Sequence, residues 1–366
     1  MTSAAPLFQP FQLGSLALAN RIVMAPMTRS FSPGGVPGED VVAYYRRRAE
    51  NAVGLIITEG TTIDRPGASF DPAVPNFHAP ESLAGWKKVV DAVHAAGGKI
   101  APQLWHVGLA RRPGTGPHPD APSDSPSGVL HTGKQIGEPM SEADIADTIH
   151  AFAKAARSSV EIGFDAIELH GAHGYLIDQF FWDGLNKRSD RFGGDLVGRT
   201  SFGREIVKAV RAEMPADMPL ILRYSQWKQQ DYTARLAETP QALEAFLTPL
   251  AEAGVDIFHA STRRFWIPEF EGSDLNLAGW TKKLTGKPVI TVGSVGLNSD
   301  FLGAFMGEGS PAASIDGLIK RFEAGEFDLV AVGRALLSDP EWAAKVRDGR
   351  FGDLNDFSAE ALKELV

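Results

Sequence analysis

Eight short apolar runs recur along this chain and alternate with longer stretches of helical pattern. The runs are RIVMAPM (21–27), GLIITEG (54–60), KIAPQLW (99–105), FDAIELH (164–170), PLILRYS (219–225), VDIFHAS (255–261), KPVITVG (287–293) and FDLVAVG (327–333). Most are continuously apolar, which is typical of parallel strands covered on both faces. Eight β-then-α units predict an α/β fold, a (β/α)8 TIM barrel formed as a single domain by residues 1–366.

Helix boundary signals agree with this prediction. Ser141 with Asp144 three residues later predicts a capped helix start, and Thr239-Pro240 predicts another. Glycine ends the helical pattern in AAGGKI, EIGFDAI, EAGVDIF and EAGEFDL, and a strand pattern follows each time. A doubly wound sheet is the main alternative, but no G-x-G-x-x-G motif opens the first helix as a dinucleotide fold would require.

Two insertions interrupt the regular alternation. FQPFQLGSLALAN, before the first strand, predicts an N-terminal hairpin that caps the floor of the barrel. The segment 106–140 is rich in Gly, Pro, Ser and Asp and follows the third strand. We therefore expect it to form a long βα loop over the carboxyl face of the barrel, where long loops are usually functional.

Composition excludes several classes of protein. The chain has no cysteine, which removes disulfides, thiolate metal sites and cysteine nucleophiles. The net charge of −9, without a basic stripe, argues against nucleic-acid binding. No apolar run reaches the roughly 20 residues that span a bilayer, and the N-terminus does not resemble a secretory signal. We expect a cytoplasmic protein without membrane contact.

The active site of a TIM barrel lies at the carboxyl ends of its strands. Gly293-Ser294 and Gly333-Arg334 follow the last two strands and predict a phosphate site, where backbone N–H groups, a helix start and one guanidinium meet an anion; tight turns are the alternative. His170, His173 and Tyr175 follow the fourth strand. The two histidines could serve acid–base chemistry, bind an anion, or bind a metal together with Glu168, His106 or His259, or they could be no more than polar residues at a strand end.

With these residues in view, the chain resembles the old yellow enzyme family, the FMN-dependent ene-reductases. Six motifs carry the resemblance over nearly the whole length: NRIVMAPMTR, IITEG, QLWHVG, ELHGAHGYLIDQF, KRSDRFGGDLVGRTSF and LVAVGRALLSDPEW. The resemblance implies noncovalent FMN across the barrel mouth and NADPH or NADH as hydride donor. The residues that it assigns to the flavin are Pro26, Met27 and Thr28 along the ring, Gly60 leaving room for it, Gln103 at its pyrimidine edge, Arg223 near N1, and Gly293, Ser294, Gly333 and Arg334 at the phosphate.

The resemblance also implies roles for the residues after the fourth strand. His170 and His173 would donate hydrogen bonds to the carbonyl or nitro oxygen of an electron-poor alkene, and Trp105 would line the same pocket. The flavin would deliver hydride to the β-carbon in a ping-pong reaction, and Tyr175 would protonate the α-carbon. Reduction of nitrate esters or nitroaromatics, or oxidation of amines, is the alternative on the same fold. A metal-dependent hydrolase is a more distant one.

The resemblance weakens in two loops over the mouth and in the C-terminal tail. The stretch 224–230 departs from the usual family continuation, and so does STRRFWIPEFEG after the sixth strand. Arg263 and Arg264 would contact NAD(P)H phosphates or pair with Glu269 or Glu271. We expect Phe351 or Phe357 in the place of a pocket tyrosine that relatives supply from the tail. Members of the family are monomers or homodimers, and we expect one of these states.

Overall fold

Eight parallel strands close into a barrel in the computed structural model, which describes residues 3–299, 303 and 307–366. Each strand pairs with its neighbour in sequence, and the last pairs with the first to close the ring. The predicted TIM barrel is confirmed, because every predicted apolar run contains or overlaps one barrel strand. The barrel strands are β3 Ile22–Met24, β4 Leu55–Thr62, β5 Lys99–Trp105, β6 Ile167–His173, β7 Leu220–Lys228, β8 Ile257–Ser261, β9 Val289–Val292 and β10 Leu329–Val332.

Helices separate the strands and cover the outside of the barrel. They are α1 Glu39–Glu50, α2 Pro80–Ala95, α3 Glu142–Ile162, α4 Leu176–Phe181, α5 Ser201–Ala212, α6 Pro240–Ala253, α7 Leu277–Thr285, α8 Asp316–Glu323, α9 Ala335–Ser338 and α10 Trp342–Arg347. Ser141 and Asp144 form the predicted reciprocal cap of α3, and the Thr239 hydroxyl accepts the Ala242 N–H at the start of α6. None of the described helices has the length and apolar character to cross a bilayer.

The predicted hairpin lies under the barrel floor. Its strands β1 Phe11–Leu13 and β2 Leu16–Leu18 pair antiparallel, and Leu16 and Leu18 are buried in an apolar cluster with residues that open the barrel strands, including Leu55 and Ile257. Burial of such side chains stabilises the fold by roughly 1.5–3 kcal/mol each. Side chains fill the floor of the barrel, and the cavity described below lies at its carboxyl end.

The long segment 106–140 is held beside that open end by a buried polar network. The His106 Nε2 atom lies 2.9 Å from Asp124 Oδ2, and the Arg65 guanidinium contacts the same carboxylate at 2.9 Å. These contacts hold the pKa of Asp124 at about 2, against the effect of burial. The segment contributes Arg112 and Thr115 to the mouth of the barrel, which confirms the predicted position of the loop.

Candidate active site at the carboxyl end of the barrel

A cavity of about 670 Å³ opens at the carboxyl ends of the barrel strands. Of the fourteen residues that the sequence nominated for the site, thirteen line this cavity. They are Pro26, Met27, Thr28, Gln103, Trp105, His170, His173, Tyr175, Arg223, Gly293, Ser294, Gly333 and Arg334. The barrel therefore brings together residues that are spread over about 300 positions of the chain, as this fold does at its carboxyl face.

Gly60 is the exception, because its α-carbon faces a neighbouring side chain rather than the cavity. A Cβ atom at this position would lie 2.7 Å from Cδ2 of Trp105. The two residues belong to adjacent strands, where Gly60 pairs with Gln103. The missing side chain makes room for the Trp105 indole, which in turn lines the cavity.

An aromatic cluster forms one wall of the cavity around the end of β6. The rings of His170 and His173 lie 5.1 Å apart and nearly perpendicular, and the Tyr175 ring lies 4.9 Å from His170. Trp105 stacks on His170 at 6.0 Å and meets the Tyr175 edge at 4.9 Å. Trp227 stacks on His173 at 4.5 Å. Both histidine rings therefore have fixed positions.

Hydrogen bonds fix the histidines further. His173 has a positive φ of 65°, its N–H donates to Ser225 Oγ at 2.9 Å, and its Nε2 lies 2.8 Å from Ser261 Oγ. The Nδ1 atom of His170 accepts the Ala172 N–H at 3.4 Å. A neutral imidazole that accepts at Nδ1 carries its proton on Nε2. His170 is therefore arranged to donate from Nε2.

The electrostatics of this wall favour neutral histidines. Burial lowers the pKa of both His170 and His173 well below its ordinary value, and the Arg223 guanidinium lowers it further. Burial raises the pKa of Tyr175, so its phenol keeps its proton at neutral pH. The cluster offers N–H and O–H donors to a ligand and carries no charge of its own.

A polar network lies next to this wall, deeper in the barrel. Gln103 Nε2 donates to Glu168 Oε1 at 2.8 Å, and His259 Nδ1 lies 2.6 Å from Glu168 Oε2. Arg223 donates to Ser261 Oγ at 3.2 Å. Within the described chain, the Nε2 atom of His259 and the Nε atom of Arg223 are buried without a hydrogen-bond partner. The Arg223 Nε–H is a donor on the cavity wall and indicates a ligand with an acceptor atom at the top of the barrel, whereas the neutral His259 ring, which donates from Nδ1 to Glu168, has an acceptor at Nε2.

This network bears on the metal hypothesis. Glu168 is engaged by Gln103 and His259, and His106 by Asp124, so these side chains do not converge with His170 and His173. Across residues 3–299, 303 and 307–366, no group of three His, Asp or Glu side chains is placed to hold a metal ion.

The opposite side of the cavity is made by backbone after β9 and β10. Gly293 has a φ of 147°, and a Cβ there would lie 2.9 Å from both the Arg264 and the Phe265 backbone nitrogens. Ser294 also has a positive φ, of 50°. Arg334 points to the same place and donates to Ser299 O at 2.6 Å. The Phe265 N–H donates to Gly293 O at 3.1 Å, so the missing side chain at Gly293 lets the loop after β8 pack against this strand end, and Arg334 places a guanidinium on the same side of the cavity.

Several lining residues were not predicted from the sequence. Phe70 comes from the loop after β4, and no local pattern marks it, whereas Trp227, in β7, and Gln229, just after it, belong to the divergent stretch 224–230 that the sequence placed over the barrel mouth. From the C-terminal tail it is Leu362 that lines the cavity, whereas Phe357 is buried beneath the Arg334 guanidinium; the expectation for Phe351 or Phe357 is therefore wrong. Tail residues pack by tertiary contacts that spacing does not encode.

The loop after β8 bears on whether Arg263 and Arg264 pair with Glu269. Arg263 lines the cavity and lies over the Tyr232 ring at 5.2 Å, and the Glu269 carboxylate is bound by Arg235 and Gln226. Glu269 therefore has partners other than the two arginines considered for it. The Arg263 guanidinium lies at the mouth of the cavity.

Comparison with known proteins agrees with this geometry. The sequence profile of the NADH:flavin oxidoreductase / NADH oxidase family matches residues 6–309. The chain is 32% identical to 12-oxophytodienoate reductase 7 of Oryza sativa subsp. japonica, covering 94% of this chain and 88% of that protein. It is 33% identical to an NADH oxidase of Thermoanaerobacter brockii, covering 97% of this chain and 52% of that longer protein.

The fold comparison gives the same result. The structure of morphinone reductase in complex with tetrahydroNAD matches with a TM-score of 0.80 at 29% identity, covering 97% of this chain and 93% of that one. An old yellow enzyme homologue from Zymomonas mobilis shares the fold, with a TM-score of 0.80 at 24% identity. The chain belongs to the NADH:flavin oxidoreductase / NADH oxidase family, and it is an NAD(P)H-dependent flavin oxidoreductase of the old yellow enzyme type that uses FMN.

Proposed function

We propose that this protein is an ene-reductase, which oxidises NADPH or NADH and reduces the activated C=C bond of an α,β-unsaturated carbonyl or nitro compound. The observation that carries the proposal is the joint placement of His170, His173 and Tyr175 on one wall of the cavity, with all three rings neutral. Two neighbouring imidazoles and one phenol suit a substrate whose oxygen gains negative charge while its carbon is protonated.

The residues present fit FMN. The buried Arg223 Nε–H, which lacks a partner in the described chain and belongs to a residue of the cavity wall, requires an acceptor atom, which a flavin pyrimidine edge provides. The backbone beside Gly293 and Ser294, with Arg334, suits a phosphate. Pro26, Met27, Thr28, Gln103 and Gly333 line the space between these two places. When bound, FMN supplies hydride transfer, accepting hydride from NAD(P)H and delivering it to the alkene.

The protein side chains supply binding, orientation and the proton. His170 and His173 would hold the substrate oxygen by N–H donation, which draws electrons from the double bond and stabilises the developing enolate. Tyr175 would give its phenolic proton to the α-carbon, while the β-carbon receives hydride. Trp105 would shape the pocket between them. The alkene gains one hydride and one proton, and NAD(P)H becomes NAD(P)⁺.

A single cavity would serve both reactants. The cavity at the carboxyl end is lined by every predicted site residue except Gly60, and these residues come from the strand ends of one barrel. NAD(P)⁺ would have to leave before the alkene binds, so we expect ping-pong kinetics and one FMN-binding domain. Arg263, at the mouth, would face the nucleotide phosphates.

The test is the visible spectrum of the purified protein under nitrogen. We expect a flavin band that bleaches on addition of NADPH and returns on addition of 2-cyclohexenone. Loss of the return in the His170→Ala/His173→Ala variant, with bleaching retained, would assign the donor role to the pair. Bleaching that never reverses with enones but reverses with a nitrate ester or nitroaromatic would replace the proposal with the related reductase activity.

A further inference from the structure

We propose that Gln229 is a positioning residue for Tyr175, because it holds the phenolic oxygen as an acceptor and so directs the phenolic proton into the cavity. This inference rests on the proposed function, in which Tyr175 is the proton donor. Gln229 lies just beyond the end of β7, in the segment where the sequence departs from the usual family continuation. The resemblance therefore assigns it no role.

The contact itself is direct. The Gln229 Nε2 atom donates to the Tyr175 hydroxyl oxygen at 2.9 Å, and both residues line the cavity. A phenol has one hydrogen and two acceptor sites. Because one acceptor site is filled by the amide N–H, the phenolic hydrogen is free for a ligand. The same N–H stabilises negative charge on the oxygen once the proton has gone, and in the resting protein it lowers the pKa of Tyr175 against the effect of burial.

The backbone of the Gln229 segment is held in place relative to the Tyr175 loop. The Gln229 N–H donates to His173 O at 3.3 Å, and Lys228 Nζ contacts Asp178 Oδ1 at 2.6 Å. Asp178 also accepts the Gly174 N–H at 2.7 Å, directly before Tyr175. The contact between Gln229 and Tyr175 therefore joins two segments that are already fixed by several bonds, so a substitution of the exposed Gln229 side chain changes the tyrosine contact and leaves the loops in place.

Gln230 offers a matched control. It belongs to the same segment and its Nε2 donates to Gly174 O at 3.2 Å, so it contacts the same loop without contacting the phenol. A purely structural role for the segment predicts similar effects at positions 229 and 230. A role toward the Tyr175 proton predicts an effect at position 229 alone.

The charge of the side chain at position 229 gives the sharper distinction. Gln229→Leu removes the N–H donor. Gln229→Glu keeps the shape, but its carboxylate accepts the phenolic proton and opposes a negative charge on the phenolic oxygen. If Gln229 acted by packing alone, Glu would be tolerated better than Leu. If it orients the proton, Glu is the more harmful substitution.

The experiment measures the two half-reactions separately by stopped flow, with NADPH for the first and 2-cyclohexenone for the second, on the FMN-loaded protein. We expect Gln229→Leu to slow the second half-reaction by roughly tenfold, as the loss of one hydrogen bond to a developing charge does, and Gln229→Glu to slow it more. Gln230→Ala should stay near the wild-type rate, and the NADPH half-reaction should be unchanged in every variant.

A double variant completes the test. Because Gln229 acts only through the phenol, adding Gln229→Leu to Tyr175→Phe should cause no further loss. A Gln229→Glu variant that is as fast as the wild type, or equal losses of rate at positions 229 and 230, would overturn the inference. The proposed function would still stand in that case if Tyr175→Phe slows the second half-reaction. If Tyr175→Phe itself reduces the enone at the wild-type rate, the assigned proton donor is wrong and the role of Gln229 falls with it.

Discussion

Lys228 and Asp178 form an ion pair of 2.6 Å in which neither side chain is exposed to solvent. Lys228 ends β7 and Asp178 lies in α4, so the pair connects the barrel to the helix that follows Tyr175. Lys228 Nζ also donates to Ser225 O at 2.9 Å, and Asp178 accepts the Gly174 N–H. Burial lowers the pKa of Lys228 and raises that of Asp178, while each charge opposes the shift of the other.

Removing one member of this ion pair should strongly destabilise the protein. We expect Lys228→Met to lower the free energy of unfolding by roughly 3–5 kcal/mol, because it leaves a buried carboxylate without its counter-charge. Adding Asp178→Asn should recover much of the loss, since the asparagine oxygen still accepts the Gly174 N–H. Chemical denaturation measures both. The control is Lys88→Met, which removes an exposed ion pair with Glu39 and should lower the free energy of unfolding by about 1 kcal/mol or less. Equal losses of stability in Lys88→Met and Lys228→Met would contradict the prediction.

Gly60 gives a prediction that distinguishes packing from flavin contact. Because a Cβ at this position would overlap the Trp105 indole, Gly60→Ala should destabilise the protein by roughly 1–3 kcal/mol and displace the indole. The KM for 2-cyclohexenone should rise while FMN affinity stays near the wild-type value. Thermal unfolding and flavin titration measure the two effects. The control is Gly317→Ala, in α8, where open space surrounds the added atom, and it should be neutral or stabilising. A loss of FMN affinity in Gly60→Ala would instead support direct contact between Gly60 and the flavin ring.

Much of the fold and most of the site could be predicted from the sequence, because the physical signals that specify them are local. Continuous apolar runs with glycine at the helix ends specify parallel strands, and a closed barrel necessarily gathers their carboxyl ends, so His170, Arg223 and Gly293 meet although no pattern links them. The contact of Gln229 with Tyr175 spans 54 residues and depends on the irregular pairing between β6 and β7, where His173 has a positive φ. Periodicity does not encode such irregularities.

Glu59 should make stability depend on pH. It is buried within β4, and its Oε2 accepts the N–H groups of Arg29 at 2.9 Å and Ser30 at 3.3 Å. Burial raises the pKa of Glu59 from an ordinary value of 4.5 to about 7. The folded protein therefore holds a proton in this window that the unfolded chain has released, so the free energy of unfolding falls as pH rises from about 4.5 to about 7.

The isosteric Glu59→Gln variant removes this titration. We expect the free energy of unfolding of the wild type to fall relative to that of the variant by on the order of 3 kcal/mol between pH 4.5 and pH 8. Urea denaturation at pH 4.5, 6 and 8 measures the difference. Parallel pH profiles for the two proteins would show that Glu59 keeps an ordinary pKa in the fold.

Arg334 should distinguish a phosphate site from a structural turn. Its guanidinium lies in the cavity beside the Gly293 backbone and donates to Ser299 O. If it also binds the FMN phosphate, Arg334→Ala should weaken FMN by roughly 10- to 100-fold, the effect of losing a hydrogen bond to a charged group, and leave riboflavin, which has no phosphate, nearly unchanged. Fluorescence titration of the apoprotein with each flavin measures this directly. Arg112→Ala, which alters a cation at the mouth of the same cavity, should affect neither flavin. Equal weakening of FMN and riboflavin at Arg334→Ala would mean that the arginine acts by holding the segment at Ser299, and the phosphate would then have to be bound by the backbone of Gly293 and Ser294 alone.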